Sequence, residues 1–141
     1  MPHPTEARTR APRWRKPIVV VLLFAIVGAL VWSQLPRGAY PTDLSRVGTG
    51  RPALVLAFDM NYSGGAAAME LMNVIRSDYA QRVDFLVAHL GLADGQAFAE
   101  RYRAGDGTVL LFAGNGDLVD RLHHPRGVEE LRQALDAAFN R

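Results

Sequence analysis

Nineteen consecutive residues without a charge, Pro17 to Leu35 (PIVVVLLFAIVGALVWSQL), constrain this 141-residue chain more than any other feature. The stretch from Ile18 to Trp32 is apolar on every side, unlike the one-sided face of a surface helix. It approaches the roughly 20 residues that a helix needs to cross a hydrocarbon core. Lipid offers the backbone no hydrogen bonds, so a helix is the expected form, with Trp32 at the far interface. What remains has room for one compact domain and not for two.

Charge gives this span a direction. Before Pro17 the chain carries Arg8, Arg10, Arg13, Arg15 and Lys16 against Glu6, a local net of +4. Positive residues flanking a first span stay in the cytoplasm, so residues 1–16 are expected as a basic cytoplasmic tail and residues 17–35 as the anchor. A cleaved signal peptide is the competing expectation. The small-residue site it needs is missing, since Arg37 stands two residues before Ala39. A twin-arginine signal is not supported either, because Trp14 separates Arg13 from Arg15. The expected place is the inner membrane, single-pass, with the C-terminal domain on the periplasmic or extracytoplasmic side.

The whole chain nets +2, so everything after the tail nets −2. A mildly acidic domain has no stripe that could displace counterions from a phosphate backbone, which excludes nucleic-acid binding. Cysteine is absent. That closes disulfides, thiolate metal sites and thiol chemistry to this chain.

Residues 36–51 (PRGAYPTDLSRVGTGR) are rich in Pro, Gly, Ser and Thr and are expected to be a linker, leaving 52–141 as the folded domain. Within it, Pro52 to Phe58 is an apolar run that suits a strand buried on both faces. Ser63 is the expected N-cap of a helix on which Met69, Met72, Ile75 and Tyr79 recur at helical spacing. Both methionines are therefore expected in the core. Val83 to His89 is the second strand, and Asp94 to Arg103 the second helix, with Phe98 and Tyr102 four apart. Thr108 to Ala113 and Asp117 to Leu122 flank Asn115 and Gly116, the pair best suited to a type I′ hairpin. Val128, Leu131, Leu135 and Phe139 draw the apolar face of a last helix. A right-handed crossover makes the first two strands parallel, and the hairpin adds two more to the same sheet.

This α/β order, βαβαββα in a four-stranded mixed sheet flanked by helices, resembles the thioredoxin fold over residues 50 to 140. The stretch LLFAGNGDLVDRL with VEELRQALDAAF is similar to the family's closing hairpin and helix. ALVLAFDMNYSGGAAAMELMNVI is similar to its first core strand and the helix that carries CxxC. On that resemblance the CxxC positions fall on Tyr62, Ser63, Gly64 and Gly65, the cis-proline on Gly107, and the buried acid near Leu56. The chain looks like a membrane-anchored member of the superfamily without the CxxC cysteines, and the resemblance implies a scaffold, not a reaction.

The family's peptide-clamping face implies a binding surface here over Met60, Asn61, Tyr62, Ser63, Gly64, Gly65, Asp106 and Gly107. Tyr62 is the expected contact, and the backbone at Asp106 is available for strand-like pairing. Other candidates are set aside on their own chemistry. A lone SGG lacks the lysine and spacing of a phosphate loop. The hydroxyls of Tyr62 and Ser63 invite comparison with glutathione transferases, but the second helical domain of those enzymes does not fit in this length. His123 and His124 are expected to point to opposite faces at a surface strand end, and His89 has no ligand partner at suitable spacing. No metal and no cofactor is expected, and no nucleophile is paired with a base. The sequence therefore points to a redox-inactive interaction or assembly module with a protein partner in or near the membrane. The alternative is an accessory to a thiol-redox or cytochrome-maturation type system whose cysteines lie on another chain.

Overall fold

The computed structural model describes residue 2 and residues 15–34 and 39–140. Most of the basic tail, the side chain of Trp32, the last anchor residue 35 and linker residues 36–38 lie outside that set. The chain divides into two compact units, with the boundary between Ala39 and Tyr40.

The first unit contains α1 (Arg15–Gln34), a twenty-residue helix about 30 Å long. Pro17 sits in its first turn, where backbone N–H groups have no intrahelical acceptor, so proline costs nothing there. From Lys16 to Val31 every side chain is exposed. Among the described residues no helix is long and apolar enough to cross a membrane.

The second unit follows the expected order: β1 (Ala53–Phe58), α2 (Ser63–Tyr79), β2 (Asp84–His89), α3 (Ala93–Tyr102), β3 (Thr108–Phe112), β4 (Leu118–His123) and α4 (Val128–Phe139). The strands lie in the order β2-β1-β3-β4. β1 and β2 are parallel, while β1 with β3 and β3 with β4 are antiparallel.

The sheet is a central layer with a core on each face. Leu54, Leu56, Val109 and Leu111 point to one side, where Met72 and Ile75 of α2 and Leu131 and Leu135 of α4 close over them. Met69 packs on the same cluster. Ala53, Val55, Ala57, Leu110 and Phe112 point to the other side, against Phe98 and Tyr102 of α3. Strand alternation sorts β1 between the two clusters, which is why its sequence reads as one apolar run.

The linker expectation is corrected from Tyr40 onward. Tyr40 is buried, its hydroxyl donates to Asn73 Oδ1 at 2.7 Å, and the Arg76 guanidinium lies 4.4 Å above its ring. Pro41 O accepts from Val87 N at 3.0 Å, so the segment runs beside the β2 edge. A short 3-10 turn, Leu44–Arg46, is capped by Asp43, and Leu44 and Val47 pack on the second core. A Pro/Gly-rich composition disguised these few anchoring side chains.

Two local expectations also change. Tyr62, not Ser63, is the N-cap of α2, and it makes no side-chain cap. The hairpin does not turn on Asn115–Gly116 as a type I′ pair, which would need positive φ at both. Gly116 N donates to Ala113 O at 2.9 Å, so Gly114 and Asn115 form the corner. Gly116 follows at φ +91, and a register shift lies between Leu111 and Phe112. Gly114 is needed for approach, since its O accepts from Gly50 N and a Cβ there would lie 2.7 Å from Gly50 O.

Tyr79, nearly buried, joins α2 to α4 by donating to Asp136 Oδ1 at 2.8 Å. Burial first, and the bond to Asp136 second, raise its pKa above the ordinary tyrosine value. A raised acid is protonated in the folded state, so its stabilisation is complete below about pH 10 and is lost as pH rises through the higher folded value. Tyr79→Phe is expected to cost about 1 kcal/mol at neutral pH and to flatten the alkaline fall in stability. Urea titrations of both proteins on either side of pH 10 check this, and equal alkaline slopes would refute it.

Candidate functional site

At the carboxyl end of β1 the chain turns through Asp59, Met60, Asn61 and Tyr62 into α2. Asp59 Oδ1 accepts from the backbone N of Asn61 at 2.9 Å and from its Nδ2 at 2.8 Å, and Asp59 O accepts from Tyr62 N at 3.2 Å. This tight loop holds Met60 and Tyr62 outward, 74% and 66% exposed.

The facing loop supplies the missing cap. Asp106 Oδ1 accepts from Asp59 N and Oδ2 from Gly65 N, each at 2.8 Å. Gly65 is the third residue of α2, so the carboxylate neutralises one of the helix's orphan N–H groups and sits at the favourable end of its dipole. One side chain thus ties β1, α2 and the start of β3 together. Both of its oxygens are engaged by backbone donors, which makes Asp106 a clamp.

Three glycines make room for this. A Cβ on Gly65 would lie 2.3 Å from Asp106 Oδ1 and 2.8 Å from Phe58 Cδ2. Gly107 has φ +79, its N donates to Ala57 O at 2.9 Å and its O accepts from His124 N at 3.1 Å. His124 itself has φ 50, and its ring fills the space above two glycines: Cδ2 lies 2.7 Å from the Cβ position of both Gly64 and Gly107. The imidazole therefore packs where the resemblance places a CxxC residue and the cis-proline.

A depression of about 430 Å³ results, lined by Tyr62, Ser63, Gly64, Asp106 and His124. Four of the residues expected from sequence meet in it. Gly65 and Gly107 lie buried beside it, and Met60 and Asn61 are exposed on the adjoining loop. His124 is exposed just past the end of β4, as expected, but sequence reasoning does not place its ring: the left-handed turn at His124 sets it beside Gly64 and Gly107. Leu56, where the resemblance places the buried acid, is a core side chain. No peptide bond is cis among the described residues.

Chemically, the face offers exposed aromatic and thioether surface beside a rigid backbone, with an imidazole at its edge. Among the described residues no group of three or more metal-ligating side chains converges.

No family model and no curated protein matches the sequence. Solved structures do. The crystal structure of Trxlp from Edwardsiella tarda EIB202 superposes with TM-score 0.59 at 16% identity, covering 70% of this chain and 98% of that one. A structure described as a malarial protein superposes with TM-score 0.55 at 14% identity, covering 63% of this chain and 98% of its own. Identities this low speak for the fold alone, and they agree with the strand order: the second unit of this cysteine-free chain has a thioredoxin-like fold.

Proposed function

We propose that the chain is a membrane-tethered, redox-inactive thioredoxin-like module that binds a protein partner on the extracytoplasmic side. The observation that carries the binding claim is the pair Met60 and Tyr62, held outward on a loop that Asp106 locks in place. Two neighbouring exposed apolar side chains on a rigid loop, beside a depression, offer surface that a partner's aromatic or apolar side chain could cover. The backbone of Asp106 would pair with an extended segment of the partner, as strand addition does elsewhere. Tethering is supported by the uncharged run 17–35 and by the basic flank that sets the direction.

A photo-activated cross-linker placed at position 62 of the full chain, in intact membranes, tests the binding face. One discrete adduct is expected, lost when Met60→Ser is added. Met60 touches no core cluster, so Met60→Ser should leave stability within about 0.5 kcal/mol. A featureless smear of adducts, unchanged by Met60→Ser, would refute a specific partner.

A further inference from the structure

The fold treats Met60, Met69 and Met72 of the second unit very differently. Met72 is fully buried, and Met69 packs half-buried against the same core cluster. Met60 is 74% exposed. The chain has no cysteine, so no thiol competes with the methionines for a two-electron oxidant. Of the three thioethers, only that of Met60 stands open to solvent.

The loop also decides what an oxygen added to that sulfur would meet. The amides of Asp59, Asn61 and Tyr62 donate to Asp106 Oδ1, Asp59 Oδ1 and Asp59 O, so these three neighbouring donors are already engaged. A sulfoxide at Met60 would find none of them free and would draw its hydrogen bonds from water. Covering it with a partner surface then means desolvating a strong acceptor, where the thioether would have been buried at a gain. Met60 belongs to neither core cluster, so the change falls on the exposed face and leaves the packing of the domain alone.

We infer that Met60 is a reversible oxidation site whose sulfoxide form weakens the contact face built on Met60 and Tyr62. The oxidant is a hydroperoxide. A sulfur lone pair attacks the terminal peroxide oxygen, and an S–O bond forms as the O–O bond breaks. The hydroxyl proton moves to the leaving oxygen, which departs as water or an alcohol. Sulfur is oxidised and the peroxide reduced by two electrons. A thiol-dependent sulfoxide reductase reverses the change, releasing the oxygen as water and leaving a disulfide on the reductant. The modification needs only this chain, whereas its effect on contact rests on the proposed binding role.

The full chain in detergent is treated with hydrogen peroxide, and fragment mass spectrometry assigns each added oxygen to position 60, 69 or 72. Oxidation at 60 is expected to be at least about tenfold faster than at 69 or 72, with the three rates converging in urea. The two methionine sulfoxide reductases, one for each epimer, should together restore the thioether. The urea midpoint of a chain oxidised only at 60 should equal that of the untreated chain. Equal rates at the three positions of the folded chain would overturn the site, and a lowered midpoint would make the oxidation damage to the fold instead of a change at the face.

The cross-linker at position 62, in intact membranes, reads the consequence. Peroxide is expected to lower the discrete adduct about tenfold. The adduct of Met60→Leu, whatever its yield, should be the same before and after peroxide. An adduct that peroxide leaves unchanged would overturn the effect on contact, as would equal loss from Met60→Leu, which would place the oxidation on the partner. Absence of a discrete adduct before any treatment would refute the binding role itself, while the mass assignments still decide the modification.

Discussion

Gly95→Ala is expected to lower the stability of the domain by about 3 kcal/mol, a large share of the 5–15 kcal/mol of a typical domain. Gly95 is buried in the first turn of α3. An added Cβ would lie 2.0 Å from His89 O, 2.5 Å from His89 C and 2.9 Å from His89 N. These are backbone atoms of the last residue of β2, so no side-chain rotation relieves the overlap. The helix must back away from the strand, and Phe98 and Tyr102 would lose contact with the second core. Alanine's better helix propensity, about 1 kcal/mol over glycine, offsets only part of this. Gly105→Ala is the control, because open space surrounds that position and its φ is not left-handed. It should be neutral or stabilising by a few tenths of a kcal/mol. Urea midpoints compare the two, and equal stability of the variants would contradict the close packing of α3 on β2.

Asp106→Asn is expected to cost about 2–4 kcal/mol, although it changes the side chain's shape hardly at all. The amide keeps one acceptor oxygen and turns a donor toward the second backbone N–H. Either Asp59 N or Gly65 N then loses its partner, and a hydrogen bond that a carboxylate accepts from a partly buried N–H is worth more than one between neutral groups. The favourable charge at the start of α2 is lost as well. Amide exchange localises the effect: the N–H groups of Asp59 and Gly65 should exchange faster by about one and a half to three orders of magnitude, in line with that loss by about 1.4 kcal/mol per tenfold. A variant with wild-type midpoint and unchanged exchange at both amides would show that the carboxylate does not hold the loop.

The legible parts of this protein were those written in consecutive residues. ALVLAF suited a strand buried on both faces, and the Val128, Leu131, Leu135, Phe139 spacing gave α4 its core side directly. The order of elements then fixed the sheet, because crossover handedness and a short hairpin leave few ways to join four strands. Three features were hidden because their causes lie far apart in the chain. Ser63 looked like the cap of α2, yet the cap comes from Asp106, 41 residues beyond Gly65. Tyr40 looked like linker, yet Asn73 and Arg76 hold it to the domain from a helix more than 30 residues away. His124 looked like a strand end, yet glycines at 64 and 107 leave the space that its ring occupies. None of these partnerships has a local spacing to betray it.

The same glycines explain how a thioredoxin-like face persists with neither thiols nor a cis-proline. A side chain at 65 would collide with Asp106 and Phe58, so the present clamp leaves no room for a thiol at the second of the two CxxC cysteine positions. Gly65→Cys is therefore expected to cost stability.

Quantitative co-purification from detergent-solubilised membranes, comparing the full wild-type chain with the Met60→Ser, Tyr62→Ala double variant, tests the proposed role most directly. A single protein recovered at constant ratio with wild type, and lost with the double variant while the fold is retained, is the predicted result. Equal recovery of that protein with both chains, or catalytic turnover of a thiol or peptide substrate by the purified chain alone, would contradict it.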